Sequence, residues 1–236
     1  MRILFGLLLL LTPALVRGGC LDSASAHYLR GVADWDSSQI RLAMKSLDVC
    51  GQSEREYETG FLQSQCWLRL QLIAYALHQK KAVESCGKSA LKTIKDLDRH
   101  PADTFAITVV RCFVCQLLAT TGITNGARYG SQVGPLLDRL KEMRPTAYYT
   151  RLIDAVMIAN MPVLVGGNPK KGRDLLLGIA REYPDSLEIK TQLATAYSLL
   201  HDYTAAEREL DAVLAANPRH LQARVLREEI ARKEKK

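Results

Sequence analysis

The chain has 236 residues, 47% of them hydrophobic and 24% charged, which is the balance of an ordinary globular protein. The formal charge is +7, yet only four Phe and two Trp accompany the basic residues, and both signs of charge mix along the predicted helices. Nucleic-acid binding calls for a basic stripe interleaved with aromatic side chains, so we expect no nucleic-acid partner.

The first residues form a candidate export signal. Met1-Arg2 precedes an apolar run over residues 3–16, which ends in Arg17-Gly18-Gly19-Cys20. A basic start, a short apolar stretch and small residues at its end are typical of a secretory signal peptide. The run is shorter than the ~20 residues that span a membrane. We therefore expect residues 1–19 to be a signal peptide and the protein to be exported to the bacterial periplasm.

Two alternatives fit Cys20. The stretch over residues 15–20 resembles the lipobox of bacterial lipoproteins, which implies a lipid anchor on Cys20, although Arg17 stands where that pattern has an aliphatic residue. The other alternative is ordinary signal cleavage after Gly18 or Gly19. Six cysteines in an exported chain make disulfide pairing plausible, but their spacing does not give the connectivity.

Residues 20–144 are predicted to form a degenerate helical-repeat region. Two short helices over residues 23–35 and 37–50 are joined at Asp36-Ser37, which supplies a helix cap. A longer helix then runs to about residue 78 and pairs with a helix over residues 81–97.

The apolar run over residues 105–118 predicts a buried helix that contains Cys112-Phe113-Val114-Cys115. A redox cysteine belongs at an exposed helix N-terminus, and a zinc site needs further ligands. Core cysteines or structural disulfides therefore explain this CxxC better. Four glycines between residues 122 and 134 predict a loop followed by a helix that packs closely through those glycines.

Residues 145–236 carry an internal repeat with a step of 34 residues. Gly172, Leu176, Ile179 and Pro184 recur as Ala206, Leu210, Val213 and Pro218. Helices are predicted over residues 147–165, 171–183 and 186–200, then again across the second repeat, and a charged helix over residues 221–235 closes the stack. Small residues at 172 and 206 would let paired helices approach closely.

The stretch over residues 187–218 resembles a tetratricopeptide repeat. The residues that carry the resemblance are Leu193-Ala194, Tyr197, Ala206, Leu210 and Pro218. It implies an all-α fold, an α-α superhelix of antiparallel helix pairs that serves as a binding surface and seldom carries chemistry.

A looser resemblance covers most of the mature chain. The stretch over residues 161–172, the preceding Met143-Arg144-Pro145 and the lipoprotein-like start are similar to the T component of TRAP transporters. That family consists of exported helical proteins, often lipoproteins, so the resemblance implies a transport-accessory role. The scarcity of Trp in the middle helices and the regular C-terminal repeat depart from it.

The tetratricopeptide resemblance also implies which residues line a groove. In the last full repeat these are Glu188, Thr191, Thr195 and Ser198, and one repeat earlier they are Asp154, Met157, Met161 and Leu164. The first set is short and mostly neutral, whereas the second is apolar and rich in thioethers. Methionine surfaces adapt to varied apolar ligands, but methionine also fills cores, so the second set forms either a groove or plain core.

No catalytic constellation is apparent in the sequence. Five histidines are scattered, and no metal-ligand pair, nucleophile elbow or phosphate-binding loop occurs. We therefore expect a non-enzymatic protein with no cofactor and no metal. The favoured function is an exported helical-repeat protein that binds a partner protein or an apolar ligand, as a transport accessory. The alternative is a general cell-envelope scaffold for protein–protein interaction.

Overall fold

The computed structural model describes residues 20–50, 56–98, 104–161, 163 and 166–234, so the signal peptide predicted over residues 1–19 lies outside it. These described residues form eleven α-helices and no β-strand, which confirms the all-α prediction. No helix in this part of the chain is long and apolar enough to cross a membrane. The helices fall into two compact units, residues 20–143 and 144–234.

The N-terminal unit contains six helices: α1 (Cys20–Asp34), α2 (Ser37–Val49), α3 (Glu56–Ala76), α4 (Lys80–Leu97), α5 (Thr104–Ala119) and α6 (Ile123–Met143). They form three antiparallel pairs, α1 with α2, α3 with α4 and α5 with α6. The first helices of the pairs also contact each other, α1 with α3 and α3 with α5. The second helices α2, α4 and α6 make no such backbone contacts with one another and form the outer row.

The core of this unit depends on the inner faces of α3 and α5. Eleven of the sixteen residues of α5 are buried, as its apolar composition predicts. Gly87 of α4 allows the close approach of three helices, because a Cβ there would lie 2.5 Å from Gln71 Nε2 on α3 and 2.7 Å from Leu118 on α5. Gln71 Nε2 also donates to the Val114 carbonyl at 3.3 Å, which ties α3 to α5.

The C-terminal unit contains five helices: α7 (Tyr148–Asn160), α8 (Pro169–Glu182), α9 (Leu187–Leu199), α10 (Tyr203–Ala216) and α11 (Leu221–Glu234). α7 pairs with α8 and α9 with α10, while α11 packs against α9 and α10. The starts of α8 and α10 lie one repeat step apart, as do those of α9 and α11. The repeat seen in the sequence is therefore a repeat of helices.

Each of the helices α8 to α11 begins at a side chain that caps the third backbone N–H of the helix. The four acceptors are Asn168 Oδ1, Ser186 Oγ, Asp202 Oδ1 and His220 Nδ1, at 2.9, 3.3, 3.0 and 3.3 Å. In the N-terminal unit Asp36 Oδ1 caps α2 by accepting from the Ser38 N–H at 2.7 Å, which confirms the predicted cap. Because a cap satisfies a backbone donor that would otherwise have no partner, these residues fix where each helix starts.

Gly172 brings α8 into contact with the backbone of α7. A Cβ at this position would lie 2.5 Å from Ala159 Cβ and 2.6 Å from the Ala159 backbone nitrogen. Real Cβ atoms do not come this close, so only glycine fits without movement of a helix. The predicted close pairing at Gly172 is confirmed, and the corresponding Ala206 is fully buried.

Two helix boundaries differ from the prediction. α7 was expected to reach residue 165 but ends at Asn160, where Met161 turns to an extended conformation with ψ of 146°. The reason is local: the residue before a proline disfavours the α conformation, and Pro162 follows. α6 begins at Ile123 and runs through the glycine-rich stretch and Pro135, so the loop predicted there is wrong. The predicted packing through the glycines holds for two of the four: a Cβ at Gly126 or Gly130 would lie 3.4 or 3.7 Å from Ala119 of α5, whereas one at Gly122 or Gly134 would meet no atom within 4 Å.

Cys20 and Cys50 form a disulfide that joins the start of α1 to the end of α2. A sulfur that is bonded to another sulfur cannot also carry a thioether-linked lipid. The lipid anchor considered for Cys20 therefore disagrees with this structure.

Candidate functional site

The candidate site is the side of the C-terminal unit formed by the first helix of each pair and by α11. α7 contacts α9, and α9 contacts α11, so these helices make a continuous surface, which we call the first-helix face. All the described groove residues expected from the sequence belong to α7 and α9 or to the end of α7. The structure shows that these residues differ in how exposed they are.

On α9, two of the four predicted groove residues are buried. Thr191 is 1% exposed and Ser198 is 4% exposed. The Thr191 hydroxyl donates to the Leu187 carbonyl at 2.7 Å, and Lys233 Nζ of α11 lies 3.5 Å from Ser198 Oγ. These two side chains are used inside the unit and do not present a surface to a ligand.

Thr195 and Glu188 of α9 are partly exposed. The Thr195 hydroxyl donates to the Thr191 carbonyl at 3.0 Å, so it satisfies its own helix. The threonine hydroxyls of α9 therefore have little capacity left to hydrogen-bond a ligand. Glu188 is the one charged groove residue of α9.

On α7, Asp154 and Met157 are partly exposed, three residues apart on one side of the helix. Met161 is not on the helix, because it is the C-cap residue of α7, and its backbone N–H donates to the Met157 carbonyl at 3.0 Å. Leu164 lies outside the described residues. The expected stripe of four residues is therefore reduced to Asp154 and Met157, with Met161 at the helix end.

A cluster of three tyrosines, which the sequence did not predict, lies beside Glu188. The ring centroids of Tyr148 and Tyr149 are 5.2 Å apart and those of Tyr148 and Tyr183 are 4.9 Å apart, both edge to face. Tyr148 Oη lies 3.1 Å from Ser186 Oγ. Burial raises the pKa of Tyr148 well above its usual value, and the nearby Glu188 carboxylate adds to this rise, so the phenol stays protonated.

The tyrosine cluster joins three elements: the start of α7, the end of α8 and the turn into α9. Tandem tyrosines at the start of a predicted helix were visible in the sequence, but the partner Tyr183 comes from another helix. Its packing depends on the way α8 folds back on α7. Arg151 and Glu182 reinforce that contact with a two-point ion pair, at 2.7 and 2.6 Å.

The CxxC of α5 is a pair of core thiols. Cys112 and Cys115 are both fully buried and neither is in a disulfide. Burial raises the pKa of Cys112 to about 12 and that of Cys115 to about 11, with Arg111 opposing the rise at Cys115. A thiolate is the reactive form of cysteine, so this environment disfavours both redox and metal chemistry. Among the described residues, no cluster of three or more His, Cys, Asp or Glu could hold a metal ion.

We predict that Cys112 and Cys115 alkylate very slowly in the folded protein. At pH 8 a pKa of about 11 leaves roughly two orders of magnitude less thiolate than an ordinary cysteine has. Iodoacetamide labelling, followed by peptide mass spectrometry, should show both sites reacting at least about a hundredfold faster in urea than in buffer. Equal rates in the two conditions would contradict the buried environment. Because both pKa values are raised, labelling of the folded protein should keep accelerating about tenfold per pH unit up to about pH 11, whereas the rate of an ordinary cysteine levels off near its pKa of about 8.5.

These helix pairs, stacked through small residues and repeated at a fixed step, define the class of the protein as an all-α helical-repeat solenoid. Among solved structures, the chain is similar to TTC0263, described as a thermophilic TPR protein in Thermus thermophilus, with a TM-score of 0.56 and 16% identity. That match covers 88% of this chain and 98% of the other. The chain therefore has the tetratricopeptide-repeat fold that its sequence repeat predicted.

A second similar structure is YrrB, described as a TPR protein with an unusual peptide-binding site. Its TM-score is 0.37 at 11% identity, with 86% of this chain and 88% of that chain covered. No protein-family model and no curated protein matches the chain.

Proposed function

We propose that the protein is a non-enzymatic scaffold that binds a segment of a partner protein on the first-helix face of its C-terminal unit. The observation that carries the proposal is the partial exposure of Asp154, Met157, Glu188 and Thr195 on two helices in contact. The tetratricopeptide fold supports it, because stacked helix pairs create extended binding surfaces.

The chemistry of this face suggests what kind of segment it holds. Met157 offers a flexible, polarizable contact, and the threonine hydroxyls are bonded to their own helix. Asp154 and Glu188 supply two carboxyl groups, and the tyrosine cluster lies beside Glu188. A carboxylate can pair with a cation, so we propose a partner segment with apolar residues and at least one Lys or Arg.

We predict that peptides selected from a random library on the folded protein are enriched in basic and apolar residues and bind through Met157. Replacing Met157 with Asp adds a charge to the apolar contact, so the affinity of a selected peptide should fall at least about tenfold. Fluorescence anisotropy with the labelled peptide measures this change. Leu175→Asp is a matched control, because Leu175 is 38% exposed but belongs to α8, outside the first-helix face.

Equal affinities in the Met157→Asp and Leu175→Asp proteins would refute this assignment. An apolar dye that binds the wild type and not Met157→Asp, in the absence of any selected peptide, would instead favour the apolar-ligand form of the function. Circular dichroism of both variants should match the wild type, because both residues are partly exposed.

We further propose that the protein is exported and works in the cell envelope. The candidate leader over residues 1–19 and the Cys20–Cys50 disulfide support this, since disulfides persist mainly in oxidising compartments. A mature chain that starts after Gly18 or Gly19, with no lipid mass, is the expected result of intact-mass measurement. An unprocessed chain in the cytosol would contradict export.

The finer proposal is an accessory role for a TRAP-type transporter, which is supported by the resemblance of residues 161–172 to its T component. A photo-crosslinking residue placed at Met157 in intact cells tests it. An adduct with an integral membrane permease would support the accessory role. Adducts with other envelope proteins alone would favour the alternative, a general envelope scaffold.

A further inference from the structure

The outer row of the N-terminal unit carries most of the positive charge of that unit. The outer helices α2, α4 and α6 contain ten Lys and Arg against five Asp and Glu. The inner helices α1, α3 and α5 contain three against four. The two signs mix along the sequence, but pairing of the helices sorts them into a basic outer side and a nearly neutral inner side.

The centre of the basic side is a row of four lysines on α4: Lys81, Lys88, Lys92 and Lys95. At 100° per residue they lie within about 60° of each other around the helix and extend over about 21 Å of its length. All four are exposed, and they lie opposite the buried face of α4 formed by Val83, Ala90 and Ile94. We call this set the lysine row.

Side chains of the neighbouring outer helix α6 extend the lysine row sideways. Glu84 pairs with Lys88 at 2.6 Å and also hydrogen-bonds with Asn125 of α6. That ion pair raises the pKa of Lys88, and the nearby Arg128 of α6 opposes the rise. Cations from α4 and α6 therefore lie side by side on the outer row.

From this arrangement we infer that the lysine row and its flanking cations form a docking surface for an anionic lipid bilayer. Lysine is a compact, strongly hydrated charge on a flexible stem, and a cluster of such charges is attracted to acidic headgroups without fixed geometry. This inference goes beyond the proposed binding of a partner segment, which uses the other unit.

Two other occupants fit the surface less well. Protein interfaces are depleted in lysine and depend on buried aromatic or aliphatic anchors. Of the exposed large apolar side chains described in the N-terminal unit, Leu42 and Val49 lie on α2, Tyr75 and Leu77 at the end of α3 and Ile123 at the start of α6, so none lies on α4. Nucleic acids are held by cations interleaved with aromatic rings, and the lysine row has no such ring on its helix.

Flotation of the full chain with lipid vesicles tests the inference. Vesicles of phosphatidylcholine alone should recover little protein, whereas vesicles with about 30 mol% phosphatidylglycerol should recover most of it at low salt. Raising the salt to about 0.5 M should release the protein, because the Debye length then falls to a few ångströms. No preference for the anionic vesicles would overturn the inference.

The triple variant Lys81→Gln, Lys92→Gln, Lys95→Gln removes three charges and keeps the Lys88–Glu84 pair. Its affinity for the anionic vesicles should fall at least about tenfold. The matched control is Lys170→Gln, Lys171→Gln, Arg208→Gln, which removes three exposed charges from the C-terminal unit. Equal losses in the two variants would show that only total charge matters and would overturn the assignment to the lysine row.

A competition experiment distinguishes a lipid bilayer from other polyanions. Duplex DNA or an acidic polypeptide, supplied at the same concentration of negative charge, should compete weakly with the vesicles. Competition stronger than that of the vesicles themselves would overturn the choice of a bilayer. Both variants should keep the wild-type circular dichroism, because every replaced side chain is exposed.

Discussion

Replacing Cys50 with Ser should lower the free energy of unfolding of the N-terminal unit by about 3 kcal/mol. The Cys20–Cys50 bridge closes a loop across a sequence separation of 30 residues, and a loop of this size restricts the unfolded chain substantially. The bridge also fastens the start of α1 to the end of α2, the first helix pair of its unit. Urea titration followed by tryptophan fluorescence measures the effect, because Trp35 and Trp67, the two tryptophans of the chain, both belong to this unit.

Reduction provides the control for this prediction. A reductant should lower the midpoint of the wild type to that of Cys50→Ser and leave the variant unchanged. The free thiols Cys66, Cys86, Cys112 and Cys115 are present in both proteins, so they cannot account for a difference. If the oxidised wild type were no more stable than Cys50→Ser and carried a lipid mass on Cys20, the lipoprotein alternative would replace the disulfide.

Replacing Gly172 with Ala should destabilise the C-terminal unit by about 2–3 kcal/mol. The new methyl group would press on the backbone of Ala159, at 2.6 Å from its nitrogen and 2.7 Å from its Cα. A backbone cannot move aside as the end of a flexible side chain can, so α7 and α8 must separate. Hydrogen exchange over residues 148–182, combined with thermal unfolding by circular dichroism, should show faster exchange and an earlier transition.

Gly178→Ala is the matched control on the same helix. A Cβ at Gly178 would have no atom within 4 Å, so the substitution adds helix propensity without a clash. It should therefore stabilise α8 by about 0.5–1 kcal/mol. We therefore expect Gly172→Ala to destabilise the C-terminal unit and Gly178→Ala to stabilise it. A stabilising Gly172→Ala would mean that α7 and α8 are not packed as the structure places them.

The candidate site was only partly predictable, and its residues show why. The resemblance to tetratricopeptide repeats placed Asp154, Met157, Glu188 and Thr195 on first helices, where the structure has them. It also included Thr191 and Ser198, which the structure buries. Local spacing assigns a residue to one side of its own helix. Whether that side is covered depends on a helix more than thirty residues away in the sequence, such as α11 with Lys233 beside Ser198.

The basic surface around the lysine row was even less predictable from the sequence. Read along the chain, Lys81, Lys88, Lys92 and Lys95 alternate with acidic and apolar residues and predict nothing more than a solvated helix. Packing of the helices places Arg128 of α6 beside Lys88 of this row. The basic surface is thus a product of the tertiary fold, because no stretch of sequence contains it.

The sequence by itself determined the helical class, the repeat step, the cap at Asp36 and the need for a small residue at position 172. These features depend on residues within one or two helical turns of each other, or on a repeat period that is visible in the sequence. Only the tertiary structure decided the Cys20–Cys50 pairing, the tyrosine cluster, the burial of Thr191 and the basic outer row. Each of these depends on which distant side chains meet, and that is set by how helix pairs stack and not by the local pattern.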